Sequence, residues 1–152
     1  MKIIRANLQH LDLLTPLFDA YRVFYGKDSD LLAARAFLQE RISLNESIIF
    51  LAITSQDNQE IGLGFVQLYP SFSSVSICRT YILNDLYVAP TFRKNGLAKQ
   101  LMEAAKQQAQ SINAPWLMLQ TATDNHQAQA LYESLGYQQD QSSRYYYLSL
   151  NT

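Results

Sequence analysis

The chain has 152 residues, of which 48% are hydrophobic and 16% are charged, and its formal net charge at pH 7 is -1. This composition is typical of a soluble globular protein, and we expect a single domain over residues 1–152. A near-neutral chain argues against nucleic acid as a partner, and no segment reaches the roughly 18 apolar residues of a membrane span.

The residue types that hold metals or disulfides are rare in this chain. Cys78 is the single cysteine, so an internal disulfide is impossible and a reducing compartment fits. The two histidines, His10 and His126, are far apart in sequence and have no cluster of other ligand types beside them, so we expect no metal. The N-terminus lacks the apolar region of a signal peptide, and we therefore expect a cytoplasmic protein.

The first half of the chain reads as one strand, two helices and three strands. A short strand at 2–6 precedes a helix that begins near Asp12 and ends at Gly26, and a second helix follows over 31–43. Strands are expected at 47–53, at 60–69 with Pro70 closing it, and at 75–88. Asn84 and Asp85 interrupt the apolar pattern of the last strand, which indicates a bulge.

The second half continues with a helix, a strand, a shorter helix and a hairpin. The helix is expected over 97–112 and the strand over 116–120. Asp124 and Gln127 are placed as the capping box of the shorter helix, and Gly136 is placed to end it. Residues 145–150 are strongly β-prone and are expected to form the return strand of the hairpin. The order predicts an α+β fold with a twisted mixed sheet and helices on both faces.

The segment around residues 86–102 carries the clearest chemical signal. Residues 86–88 suit a buried strand, and Pro90 should end its pairing. Two cations, Arg93 and Lys94, and then Gly96 stand at the start of the following helix. A helix N-terminus has free N–H groups and a positive dipole end, and a glycine there lets an anion approach closely, so the site suits a phosphate. The other interpretation is a basic loop that merely caps the helix.

This segment resembles the acetyl-CoA-binding motif of the GCN5-related N-acetyltransferase (GNAT) superfamily, Arg/Gln-x-x-Gly-x-Gly/Ala. The motif stands here as Arg93-Lys94-Asn95-Gly96-Leu97-Ala98. A second segment, from Asn125 to Tyr137, resembles the superfamily pattern Asn-x-x-Ala-x-x-Leu-Tyr-x-x-x-Gly-Phe/Tyr at every fixed position. The order of elements is also that of the superfamily, so the resemblance covers nearly the whole chain.

The resemblance implies the acyl-CoA N-acyltransferase fold, in which β4 and β5 splay apart around the pantetheine arm. It implies direct transfer of an acetyl group from acetyl-CoA to a primary amine, which is a small-molecule amine, an amino acid, or a protein lysine or N-terminus. It also implies a homodimer formed through the C-terminal hairpin. The alternative is a catalytically silent module that binds acetyl-CoA as a sensor or regulator.

The resemblance also assigns residues to the cofactor. The expected cofactor-binding residues are Leu86, Tyr87, Val88, Arg93, Lys94, Asn95, Gly96, Leu97, Ala98, Asn125 and Tyr132. Residues 86–88 would bind through their backbone, while Lys94 is equally well explained as a surface charge and Asn125 as a helix cap. Tyr132 matches the tyrosine that protonates the leaving thiolate, and a core aromatic is its other interpretation.

The general base and the acceptor site are less strongly defined by the sequence. Polyamine acetyltransferases have Glu-Asp where this chain has Asn84-Asp85, so Asp85 is the catalytic candidate. Asp85 is otherwise a structural acceptor at the bulge, and ordered water is another route for the proton. Tyr21, Tyr25 and Tyr69 lie in segments that line the acceptor groove of this fold, where aromatic rings hold cations or simply pack. The segments that carry these tyrosines suggest the branch related to histone and polyamine acetyltransferases.

Overall fold

The computed structural model describes residues 1–151, which divide into two compact units, Met1–Gln120 and the residues from Thr121 onward. The first unit holds strands β1 (Lys2–Arg5), β2 (Ile48–Gln56), β3 (Gln59–Ser73), β4 (Cys78–Val88) and β5 (Leu117–Leu119). Its helices are α1 (Leu11–Phe24), α2 (Leu31–Ser43) and α3 (Leu97–Ser111), with 3-10 turns at Leu8–His10 and Pro90–Phe92. The second unit holds α4 (His126–Ser134). Among these described helices, none is both long and apolar enough to cross a bilayer.

The five strands form one mixed sheet in the order β1-β2-β3-β4-β5. Neighbouring strands are antiparallel except for β4 and β5, which are parallel. A parallel neighbour needs a crossover connection, and α3 supplies it. The α+β class predicted from the sequence is therefore confirmed.

The core of the first unit lies on both faces of this sheet. On one face, Leu14 and Phe18 of α1 and Leu38 of α2 pack in one buried cluster with Leu51 and Phe65 of the sheet. On the other face lies α3, whose buried side chains recur at helical spacing (Leu97, Leu101, Met102, Ala105 and Ala109). Helices on both faces were expected, and the expectation is confirmed.

Glycines let the sheet close at two places in β3. A Cβ on Gly64 would lie 2.6 Å from the Tyr87 carbonyl oxygen, so only glycine allows β3 and β4 to approach this closely. A Cβ on Gly62 would lie 3.0 Å from Leu17 Cδ1 and 3.1 Å from the Leu13 carbonyl oxygen of α1. Both residues flank an irregularity in the β2–β3 register. A glycine within a strand commonly marks close backbone approach or a bulge, and both occur at this part of β3.

A bulge interrupts β4 at Asn84. Gln67 pairs with Asp85 while Leu68 pairs with Leu83, so Asn84 is the extra residue. The parallel pairing with β5 also stops at Leu83, opposite Leu119. Residues 85–88 therefore have β3 on one side and no β5 ladder on the other, which is the splay that the resemblance implied.

Two strand predictions are wrong. Pro70 does not close β3, which runs on to Ser73 with Pro70 opposite Tyr81. Pairing with β2 ends at Leu68, so Pro70 lies where β3 has only one neighbouring strand and a missing N–H is tolerated. The hairpin expected near the C-terminus is also wrong, because residues 137–151 contain no strand. A β-prone sequence needs a neighbouring strand to pair with, and propensity alone does not provide one.

The N-terminal cap of α4 differs from the one predicted from the sequence, whereas its C-terminal cap agrees with the prediction. The helix is capped by Asn125, whose Oδ1 accepts a hydrogen bond from the Ala128 N–H at 3.2 Å, so the expected capping box at Asp124 is wrong. Gly136 ends the helix as expected, with φ of 92°. The Tyr137 N–H donates to the Tyr132 carbonyl at 3.0 Å, and the Gly136 N–H donates to Glu133 at 3.1 Å. This is the pattern of a Schellman cap.

Candidate functional site

A pocket of about 390 Å³ opens between α1, α2, β3 and β4 in the first unit. Its lining combines aromatic rings, small side chains and polar groups: Phe18, Tyr21, Arg22, Ala33, Ala34, Phe37, Tyr69, Asn84 and Asp85. The volume lies within the range of about 300–1,000 Å³ that is common for small-molecule sites. The pocket therefore combines the size of a small-molecule site with a buried carboxyl group.

Asp85 contributes a buried carboxyl group to the lining of this pocket. Its side chain is buried, with 2% exposure, and accepts hydrogen bonds from Gln67 Nε2 and from Asn84 Nδ2, the latter at 2.8 Å. Tyr21 also hydrogen-bonds to this carboxyl. Burial raises the pKa of Asp85 above its ordinary value of 3.8, and the three hydrogen bonds oppose that rise. A buried carboxyl with a raised pKa is a stronger base than an ordinary aspartate, which suits it to accept a proton.

The predicted substrate-binding tyrosines gather around Asp85. Tyr21 and Tyr69 line the pocket, and the Tyr21 hydroxyl lies 3.4 Å from the Asn84 carbonyl oxygen. Tyr25 packs edge-on against Tyr21, with 4.9 Å between ring centroids. Burial, and secondly the negative charge of Asp85, raises the pKa of all three phenols. The tyrosines therefore stay neutral and present ring faces and hydroxyl groups to the pocket.

A polar contact fixes α2 above the pocket. Asp19 of α1 is buried and accepts hydrogen bonds from Ser29 Oγ at 2.6 Å and from the Asp30 N–H at 2.8 Å. These hydrogen bonds lower the pKa of Asp19. Asp30 in turn caps α2 by accepting from the Ala33 N–H at 3.0 Å. The wall that α2 contributes is thereby tied to α1.

The loop at residues 93–98 is a turn that leads into α3. Residues 93–96 are exposed, and Lys94 and Gly96 both have positive φ, 66° and 74°. Gly96 is the residue before α3, and a Cβ added there would meet no atom within 4 Å. Buried Leu97 anchors the helix start beneath the loop. The free N–H groups of the first turn of α3 therefore begin next to an open surface.

Arg93 lies along the end of β4. Its Nε donates to the Val88 carbonyl at 2.8 Å, and its guanidinium carbon lies 5.6 Å from the Tyr87 ring centroid. In this structure the side chain joins the loop to the strand, and its expected role toward phosphate groups stays a prediction. The predicted residues 86–88 and 93–98 are thus parts of one continuous strand, turn and helix.

The other two predicted residues lie in the second unit. Asn125 caps α4, as one of its two sequence interpretations held. Tyr132 lies on the same helix, with 6.1 Å between its ring centroid and that of Tyr137. The predicted roles of both residues toward the cofactor stay predictions.

Sequence analysis missed Gln67 as a site residue. Gln67 is fully buried, and its Oε1 atom has no hydrogen-bond partner among the described residues. The available signal was a single amide within the apolar run Phe65-Val66-Gln67-Leu68, because a polar residue in a buried strand needs a partner. Phe18 and Phe37 of the pocket wall were also missed, since helical apolar spacing does not distinguish a core residue from a pocket residue.

Comparison with known proteins adds three findings. The model of the acetyltransferase (GNAT) family matches residues 14–137. The chain is 44% identical over 150 residues to the uncharacterized N-acetyltransferase YhfO of Bacillus subtilis (strain 168), covering 99% of this chain and 98% of that protein. A crystal structure of a probable acetyltransferase is 45% identical, covers 100% of this chain and 99% of the other, and superimposes with a TM-score of 0.92.

A more distant structure adds evidence on the fold. An aminoglycoside N-acetyltransferase solved in complex with CoA is 23% identical and superimposes with a TM-score of 0.76. The match covers 97% of this chain and 93% of the other. At this identity the likeness supports the fold alone.

We predict that the stability of the protein depends on pH through Asp85. Because the pKa of its carboxyl is raised in the folded chain, the folded state binds this proton more tightly than the unfolded state does. The stabilisation is complete below the ordinary pKa of 3.8 and is lost as the pH rises through the raised value. The melting temperature of the wild type should therefore fall relative to Asp85→Asn as the pH is raised from about 4 to 8.

Asp57→Asn, in the exposed β2–β3 turn, is the control and should follow the wild type. A constant difference between wild type and Asp85→Asn would contradict the prediction.

Proposed function

Since the chain belongs to the acetyltransferase (GNAT) family, it is an N-acetyltransferase, and we propose that it moves an acetyl group from acetyl-CoA to a small primary amine. The observation that carries the proposal is the buried Asp85 carboxyl in a pocket of about 390 Å³ on the strand that leads into the 93–98 loop. The amine acceptor would bind in the pocket and the cofactor along the loop and the end of β4.

The cofactor assignment rests on backbone geometry. Residues 85–88 have no β5 ladder beside them, so those of their backbone groups that do not pair with β3 are available to the amides of a pantetheine arm, apart from the Val88 carbonyl, which accepts from Arg93 Nε. The exposed turn before α3 offers N–H groups and positive charge to phosphates. The distant aminoglycoside N-acetyltransferase was solved with CoA, which supports the same cofactor here.

The proposed reaction is direct attack of the amine on the thioester. A substrate ammonium first loses a proton to Asp85, directly or through water, because an ammonium group has no lone pair. The amine nitrogen then bonds to the thioester carbon, the nitrogen gives up its second proton to water, and the carbon–sulfur bond breaks to release CoA as a thiolate. A backbone N–H near Leu86 or Tyr87 would stabilise the developing oxyanion.

The proton that returns to the CoA sulfur is assigned to the phenol of Tyr132. This assignment rests on the match of residues 125–137 to the family pattern rather than on a measured distance. A phenol with an ordinary pKa near 10 is a suitable proton donor to a thiolate. Tyr132 would take up a proton from solvent in the next turnover.

We also propose that the protein is a homodimer. The C-terminal segment carries large aromatic and aliphatic side chains on the surface, with Tyr146, Leu148 and Leu150 86%, 83% and 83% exposed. A folded protein rarely leaves such an apolar surface uncovered. A second copy brings the same segment, so the two can pair across a two-fold axis.

The cofactor assignment predicts that Gly96→Ala raises the KM for acetyl-CoA by about tenfold, because the added methyl group would stand where a phosphate approaches the backbone. Gly26→Ala is a matched control, since Gly26 also has a positive φ, 84°, and open space around its Cβ position. Both variants should lose about 1 kcal/mol of stability from the left-handed backbone. Equal KM values for acetyl-CoA in the two variants would argue against phosphate binding at Gly96.

The transferase assignment predicts amine-dependent release of CoA from acetyl-CoA, measured with a thiol reagent over a panel of amines. Tyr132→Phe should retain acetyl-CoA binding and lose about 100-fold or more in kcat, because the proton donor is removed. Tyr146→Phe is the matched control and should behave as the wild type. An unchanged kcat in Tyr132→Phe would remove this tyrosine from the mechanism, and acetyl-CoA binding without turnover of any amine would favour the sensor.

The dimer proposal predicts twice the chain mass by light scattering. Leu148→Lys should shift the protein to a monomer, because a charge on the covered face would have to be buried. Ile77→Lys, at a 92% exposed site in the β3–β4 turn, is the matched control and should stay dimeric. A monomeric wild type at all concentrations would refute the proposal.

A further inference from the structure

Arg22 faces the acceptor pocket with most of its hydrogen-bonding capacity unused. Its Nη1 lies 3.9 Å from Asp19 Oδ1 and 3.5 Å from the Asp28 carbonyl oxygen. Both distances exceed the 2.7–3.2 Å that is typical of an N–H···O hydrogen bond. The side chain is 31% exposed, so part of it remains accessible to solvent.

The weak contact with Asp19 has a structural cause. The Asp19 carboxylate already accepts the short hydrogen bonds from Ser29 and Asp30 that tie α2 to α1. The charge of Asp19 therefore orients Arg22 but does not occupy all the N–H donors of the guanidinium. Two other arginines show the contrast, since Arg35 lies 2.6 Å from Asp12 and Arg41 lies 2.9 Å from Glu40.

Arg22 and Asp85 are the two charged residues that line the pocket, and they have opposite signs. A planar guanidinium with free donors matches a carboxylate, which it can bind with two parallel hydrogen bonds. Asp85 is the group assigned to the amine. The pocket therefore offers complementary partners to both charged ends of a zwitterion, and the aromatic rings of Phe18, Phe37 and Tyr69 line the same pocket.

On the basis of the proposed function, we infer that the acceptor is a free amino acid whose carboxylate binds Arg22 while its amine lies toward Asp85. A polyamine would place a second cation against the Arg22 guanidinium, which is repulsive. A lysine side chain or the N-terminus of a protein carries no carboxylate close to its amine. The pocket volume of about 390 Å³ also suits a molecule of amino-acid size.

The test compares acceptors that differ only in the carboxyl group. Phenylalanine is paired with 2-phenylethylamine and with phenylalanine amide, and leucine with isoamylamine and leucine amide, at saturating acetyl-CoA. We expect kcat/KM for each amino acid to exceed that of its two partners by about 10- to 100-fold, the range of a hydrogen-bonded charge pair.

Variants of Arg22 show whether this preference comes from the guanidinium. Arg22→Gln should bring the ratio of kcat/KM between amino acid and amine close to one, and Arg22→Lys should retain part of the preference as a point charge. Arg35→Gln removes an arginine of α2 that does not line the pocket and should keep the wild-type ratio.

The outcomes separate this inference from the proposed function. If the wild type acetylates amines or amides as well as the matching amino acids, the inference is wrong and the transferase proposal stands. A preference for amino acids that persists in Arg22→Gln would also overturn the assignment of Arg22. If no amino acid, amine or amide supports CoA release, the proposed function itself fails. The wild-type comparison needs no variant, so poor folding of Arg22→Gln would not prevent a decision.

Discussion

The buried hydrogen bond from the Gln67 amide to the Asp85 carboxyl stabilises the pocket. The two residues are opposite one another in β3 and β4, and both side chains are almost fully removed from water. An isolated buried carboxylate is costly, and the hydrogen bonds from Gln67 and Asn84 offset part of that cost. Without Gln67, the ionised form of Asp85 would lose its partner on the neighbouring strand.

The bulge at Asn84 links the acceptor pocket to the proposed cofactor site. It supplies an amide that bonds to Asp85, and it stands where the pairing of β4 with β5 ends. The residues after it have a free backbone edge on the β5 side and lead directly into the 93–98 loop. The proposed base and the proposed cofactor-binding residues are therefore consecutive in one strand. Because the residues proposed to hold the two reactants are neighbours in β4, the strand fixes the distance between their binding groups, and positioning two reactants in this way favours an effectively unimolecular reaction.

The parts of this structure that obey local rules could be predicted from the sequence. The turn before α3 and the glycine that ends α1 each depend on a few consecutive residues. The pocket could be predicted only in part, because the roles of Gln67 and Arg22 depend on contacts with residues that are distant in the chain. The expected C-terminal hairpin is wrong for a related reason, since strand formation requires a partner that the sequence of the segment does not specify.

The protonation state of the pocket depends on Asp85. The raised pKa values keep the phenols of Tyr21 and Tyr69 protonated, and a guanidinium such as that of Arg22 stays charged. The burial that raises the pKa of Asp85 also makes its ionised form unfavourable in the folded chain. The same burial therefore opposes stability and improves the carboxyl as a proton acceptor, because a general base works best when its pKa lies near the working pH. A purely structural carboxyl would gain nothing from this arrangement, and the conflict between stability and chemistry at Asp85 is the physical argument for a functional role.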